Sequence, residues 1–112
     1  MIIGIGVDLV YIETIEKSRN IPGFLSKVFS KEEFNLSSES LAGRFAAREA
    51  LYKALDQKNL FDFQFISIIL MESGQPKFKF SNILDQYLSD KSIHLSISHT
   101  EGFAIAFVII EN

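Results

Sequence analysis

The chain has 112 residues, 47% of them apolar, which suits a single domain; a chain this short buries a modest share of its surface alone, so an oligomer is expected. A net charge of −3 argues against nucleic acid as the main partner, no apolar run is long enough to cross a membrane, and the lack of cysteine excludes a disulfide framework, a thiol nucleophile and a zinc–cysteine site. The start, MIIGIGVDL, has no basic signal-peptide head and carries Asp8 early, so a soluble cytoplasmic protein is expected.

In chain order, Ile2–Val7 reads as a strand rich in Ile and Val, with Gly4 and Gly6 on one face where another backbone can approach closely. Asp8 stands at its end, placed to cap a short helix over Leu9–Lys17. Asn20, Pro22 and Gly23 break the pattern, and Phe24, Leu25, Val28 and Phe29 form an apolar cluster. Ser30 and Glu33 fit a capping box before a brief helix, and Ser37, Ser38 and Ser40 mark a loop.

Leu41–Gln57 carries the strongest helical signal. Leu41, Phe45, Leu51 and Leu55 supply apolar contacts, and four alanines favour helix. Phe63–Leu70 reads as a buried strand, Glu72–Pro76 as a turn, Lys77–Phe80 as a half-exposed strand and Asn82–Ser89 as a helix. In Ile93–Ser98, Ile93, Leu95 and Ile97 share one face and His94, Ser96 and Ser98 the other. His99–Gly102 is a tight connection to a last strand, Phe103–Ile110, forming an antiparallel hairpin. The expected architecture is α+β: one antiparallel sheet packed against a long central helix, in one domain over 1–112. Strands apolar on both faces need cover on both, the second supplied by a neighbouring subunit.

Asp8 and Glu49 are a candidate metal pair, since magnesium is usually held by one or two carboxylates with waters and substrate phosphates completing its shell. Read alone, they are equally a helix cap and a surface glutamate. Glu49 and Lys53 lie one helical turn apart, as do Arg44 and Arg48. Lysine is a point charge suited to a leaving phosphate and arginine a planar fork, although ordinary helix-surface charge also explains all three cations. His99 sits where a strand turns. GIGVD lacks the third glycine of a dinucleotide fingerprint, and Ser96 and Ser98 lie along a strand face without a nucleophile elbow.

Together, GIGVDLV at 4–10, AGRFAAREALYKAL at 42–55 and SISHTEGFAIAFVI at 96–109 resemble holo-acyl-carrier-protein synthase, the short type of 4′-phosphopantetheinyl transferase. The three stretches are jointly specific and occur in the family's order; 18–40 and 56–95 match in pattern only. The resemblance implies transfer of the phosphopantetheine arm of coenzyme A to a serine of apo-acyl-carrier protein, with release of adenosine 3′,5′-bisphosphate. It implies magnesium as cofactor and a homotrimer with active sites between subunits. It also implies Asp8 and Glu49 as metal ligands and Glu49 as the base, directly or through a water. Lys53 would face the departing phosphate, and His99, Gly74 and Pro76 the coenzyme A nucleotide. Arg44 and Arg48 would lie near coenzyme A or the carrier protein, Arg48 where the family usually has lysine. Two departures stand out. Thr14, beside Glu13, replaces the arginine usually found six residues after the first metal-ligand Asp, so docking would fall to Lys17, Arg19, Arg44 or Arg48. The loop Asp56–Lys58 lacks the usual glycine.

Overall fold

A computed structural model describes all of residues 1–112. Strand β1 (Ile2–Tyr11) runs into α1 (Ile12–Ser18), followed by α2 (Phe24–Val28) and a short 3₁₀ turn at Lys31–Glu33. Helix α3 (Ser38–Ala54) leads through two further 3₁₀ turns to the hairpin of β2 (Ile66–Leu70) and β3 (Pro76–Phe80). Helix α4 (Asn82–Leu88) and the hairpin of β4 (Ser92–Thr100) and β5 (Phe103–Glu111) complete the chain.

The strands form two antiparallel sheets, not one: a three-stranded sheet in the order β1-β5-β4, and the separate β2-β3 ribbon. Strand β1 is four residues longer than its first six apolar residues suggest. Leu9, Val10 and Tyr11 continue the pairing with β5, Tyr11 opposite Phe103, and these apolar and aromatic residues pack well on a pleated surface. Asp8 therefore lies inside the strand opposite Ala106 and caps nothing; α1 starts after Tyr11 without a side-chain cap. Phe63–Phe65 is a 3₁₀ turn that only Ile66 converts to strand. The serines before the central helix begin it: the Ser37 hydroxyl accepts from the Ser40 N–H at 3.1 Å.

Gly4, Gly6, Asp8 and Val10 share the β1 face that meets α3, and Ala104, Ala106, Val108 and Ile110 continue that face on β5. A Cβ on Gly6 would overlap the Ala50 carbonyl, and one on Gly4 the Ala54 carbonyl, so α3 lies directly on the β1 backbone. The alanines of α3 that face this contact are fully buried. Close approach of small residues thus fixes where the polar side chains of α3 emerge at the edge of β1.

Candidate active site

Alternation along β1 aims Asp8 at the α3 side of the sheet, and i,i+4 spacing stacks Glu49 and Lys53 above it. The Lys53 Nζ donates to Asp8 Oδ1 at 3.0 Å and to the Val7 carbonyl at 2.9 Å. Glu49 is half-buried and engages no partner by hydrogen bond or ion pair. Burial, then the nearby Asp8 charge, raises its carboxyl above the ordinary range, with Lys53 opposing. A half-buried carboxylate whose ionised form is disfavoured by burial and by the neighbouring Asp8 fits a cation. No cluster of three or more His, Cys, Asp or Glu side chains suited to a metal exists, so any ion here would draw further ligands from water or substrate.

A second group of residues lies across α3. Arg44, Gly74, Pro76 and His99 line one cavity of about 180 Å³, together with Glu39 and Gly43. Gly74, Pro76 and Ile97 also line a cleft of about 730 Å³ between the β2–β3 turn and β4, so the two spaces adjoin. His99 belongs to β4, not to the connection after it. On the α3-facing side it sits opposite Ala104, its Nδ1 3.4 Å from a Glu39 carboxylate oxygen. Gly74 takes the left-handed φ of 87° that closes the β2–β3 turn. Asp8 is on one edge strand and His99 on the other, two strand spacings or roughly 10 Å apart across the sheet. One chain therefore carries two separate clusters, Asp8–Glu49–Lys53 and Arg44–Gly74–Pro76–His99, on either side of α3, and these are the candidate half-sites.

Arg48 joins neither half. Expected as a substrate contact, it is fully buried, its Nη2 donating to Glu33 Oε1 at 2.6 Å and to the Ile66 carbonyl at 3.1 Å. Its guanidinium lies 5.0 Å from the Phe29 ring centre, and its Nε has no partner. Burial pushes this guanidinium below its usual range, Glu33 opposing. Glu33 is equally buried. Burial alone would raise its carboxyl, but bonding to Arg48, the Arg48 charge, the Ser30 N–H and Arg44 outweigh that and hold it low. The Ser30–Glu33 capping box located Glu33, but nothing in its spacing marked it as the counter-ion of two arginines on another helix.

The remaining docking cations are also accounted for. Arg19 donates to Ser38 Oγ and the Phe34 carbonyl. Lys17 keeps an exposed ammonium, paired with Glu13 at 3.1 Å. After α3, where the chain lacks glycine, Lys58 Nζ donates to the Leu55 carbonyl at 2.6 Å and closes the helix end. Asp56 is held by the Tyr87 hydroxyl.

A family model described as the 4′-phosphopantetheinyl transferase superfamily matches residues 4–108. A holo-(acyl-carrier-protein) synthase of Clavibacter michiganensis subsp. michiganensis is 39% identical over 115 residues, covering 99% of this chain and 97% of that protein. The Helicobacter pylori holo-(acyl-carrier-protein) synthase in complex with coenzyme A superposes with a TM-score of 0.84 at 36% identity, covering 96% of this chain and 99% of that one. The Bacillus anthracis str. Ames enzyme in complex with CoA (3′,5′-ADP) gives 0.82 at 33% identity, covering 100% and 98%.

Proposed function

The chain belongs to the 4′-phosphopantetheinyl transferase superfamily, and from that premise we propose that it moves the 4′-phosphopantetheine of coenzyme A onto a serine of apo-acyl-carrier protein. The observation that carries this reading is the convergence of Asp8, Glu49 and Lys53 from two elements, with Glu49 half-buried and its carboxyl raised. The serine hydroxyl attacks the β-phosphorus of the diphosphate. A phosphorus–oxygen bond to the serine forms, and the bond to adenosine 3′,5′-bisphosphate breaks. Glu49 accepts the hydroxyl proton; a carboxyl held above its ordinary range is a better base than an ordinary one. Lys53, held by Asp8 and the Val7 carbonyl, stabilises charge on the departing phosphate. No covalent enzyme intermediate is needed, in keeping with a chain without cysteine.

Asp8 and Glu49 are the residues that would hold magnesium, their crowded carboxylates being the fit for a divalent cation. A magnesium ion held there would supply charge neutralisation and polarisation of the diphosphate. Arg44, His99, Gly74 and Pro76 receive the nucleotide end of coenzyme A, and Arg48 acts inside the fold.

The enzyme works as a homotrimer. The sheet face away from α3 is apolar and uncovered: Ile5, Val7, Leu9 and Tyr11 on β1, with Ile105 and Phe107 on β5, are all exposed. Lys53 shares a cavity with Ile5, Val7 and Phe107, and His99 another with Leu9 and Ile105, so both half-sites border this face. Assembly on it sets one protomer's Asp8–Glu49–Lys53 beside another's Arg44–His99 cleft. Release of adenosine 3′,5′-bisphosphate from coenzyme A tests the chemistry. It is expected with an apo-carrier and absent when the acceptor serine of the carrier is replaced by alanine; release independent of that serine would refute group transfer.

A further inference from the structure

One carboxylate, Glu33, faces two guanidiniums. Its Oε1 accepts from Arg48, and its Oε2 from Arg44 Nη1 at 3.2 Å and Arg48 Nη1 at 3.3 Å. The cluster therefore carries surplus positive charge. Arg48 is sealed in, so Arg44 is its outward member, and Arg44 lines the cleft beside His99 and Gly74. Arg44 is gripped from behind: Nη1 is fixed between Glu33 and the Ile68 carbonyl, the latter at 2.7 Å. Its Nε and Nη2 have no partner within the chain. Glu33 itself is fixed, because the Ser30 N–H and hydroxyl donate to Oε1 at 2.9 and 3.0 Å. The grip thus runs from the 3₁₀ turn through Glu33 to the cleft.

We propose that Glu33 is a positioning residue for the transferase. By holding one nitrogen of Arg44, it presents the remaining N–H donors of that guanidinium to an anionic, phosphate-bearing part of coenzyme A. This rests on the transferase reading above. Glu39 adds a carboxylate to the same cleft, 3.4 Å from the His99 ring, so a freely swinging Arg44 would have a competing partner there. Glu33 and Ile68 fix the arginine at its root and leave its other nitrogens for the ligand. A surface lysine would not substitute, since one ammonium lacks the planar fork that is bound at one end and free at the other.

Removing Glu33 alone would strand the buried Arg48 charge, so the test replaces both. In Glu33→Gln/Arg48→Met, KM for coenzyme A is expected to rise about tenfold, with kcat within about twofold, as for loss of a bond that orients a charged group. In an Arg44→Ala background the same pair of changes is expected to add nothing further to KM, because Glu33 acts through Arg44. A second variant leaves the buried pair untouched: Arg44→Lys keeps the charge, and its KM is expected to match that of Arg44→Ala. An unchanged KM in the folded double variant, an equal rise in the Arg44→Ala background, or a wild-type KM in Arg44→Lys would each overturn the proposal. Should the double variant fail to fold, Arg44→Lys decides. Wild-type protein that neither binds coenzyme A by calorimetry nor modifies a carrier would instead overturn the transferase reading itself.

Discussion

Burial and the Asp8 charge hold the Glu49 carboxyl high, so in the absence of a divalent cation its ionised form costs the fold stability at neutral pH. Glu49→Gln removes that cost together with the base. It is expected to raise Tm at pH 7 while lowering kcat by about 10²–10⁴-fold, read by thermal melts beside carrier turnover. Lys53 is half exposed, so Lys53→Ala should leave Tm nearly unchanged and lower kcat by about 10²–10³-fold. Glu33 titrates the other way. Its folded carboxyl lies below the ordinary value of 4.5, so its stabilisation is complete above that value and is lost as pH falls through the lowered one. Urea midpoints should fall as the pH drops below the ordinary carboxylate range in the wild type, and less steeply in Glu33→Gln/Arg48→Met. At this scale the sequence was readable where spacing alone carried the message. Glu49 and Lys53 stack because they are four apart, and Asp8 follows a glycine strand that brings it to them. Arg44 and Arg48 have the same spacing, yet one lines a cleft and the other is sealed against Glu33. That difference arises from the 3₁₀ turn folding over α3, a long-range contact that local pattern does not encode.

Helix α3 and strand β1 meet with almost nothing between them, and the site depends on that closeness. Gly6 is two residues from Asp8, and a methyl there would overlap the Ala50 carbonyl, one residue from Glu49. Gly6→Ala is expected to destabilise by about 3 kcal/mol, measured by urea denaturation, and to lower activity further in the molecules that stay folded. Gly43 makes the corresponding approach to β4, where an added Cβ would lie 2.7 Å from Ile97 Cγ2. The glycine pair, the long helix, the strand alternation of β4 and the final hairpin were all legible, since each follows from periodicity or from a residue without a side chain. The end of β1 was not. Asp8 looks like a helix cap to a local reading, but pairing of Leu9–Tyr11 with Phe103–Ile105 overrides it. The missing glycine after α3 also has a local answer visible only in three dimensions: Lys58 returns to the carbonyl of Leu55 and supplies positive charge at the helix end.

At the scale of the molecule, the uncovered face of the β1-β5-β4 sheet is the largest feature that one chain leaves unfinished. Leu9 and Tyr11, on the edge strand β1, are 61% and 62% exposed on it, where a soluble sheet would place polar residues. If the chain assembles as proposed, Leu9→Glu is expected to convert a trimer in light scattering to a monomer and to abolish turnover, because the proposed site needs two protomers. A wild-type monomer at micromolar concentration would contradict the assembly. The sequence indicated the need for cover through strands apolar on both faces, but not which face α3 takes. The most direct measurement of the transfer is the mass of an apo-acyl-carrier protein after incubation with this protein, coenzyme A and magnesium. A gain of one phosphopantetheine on the carrier serine is expected; an unchanged mass across several carriers would contradict the transfer.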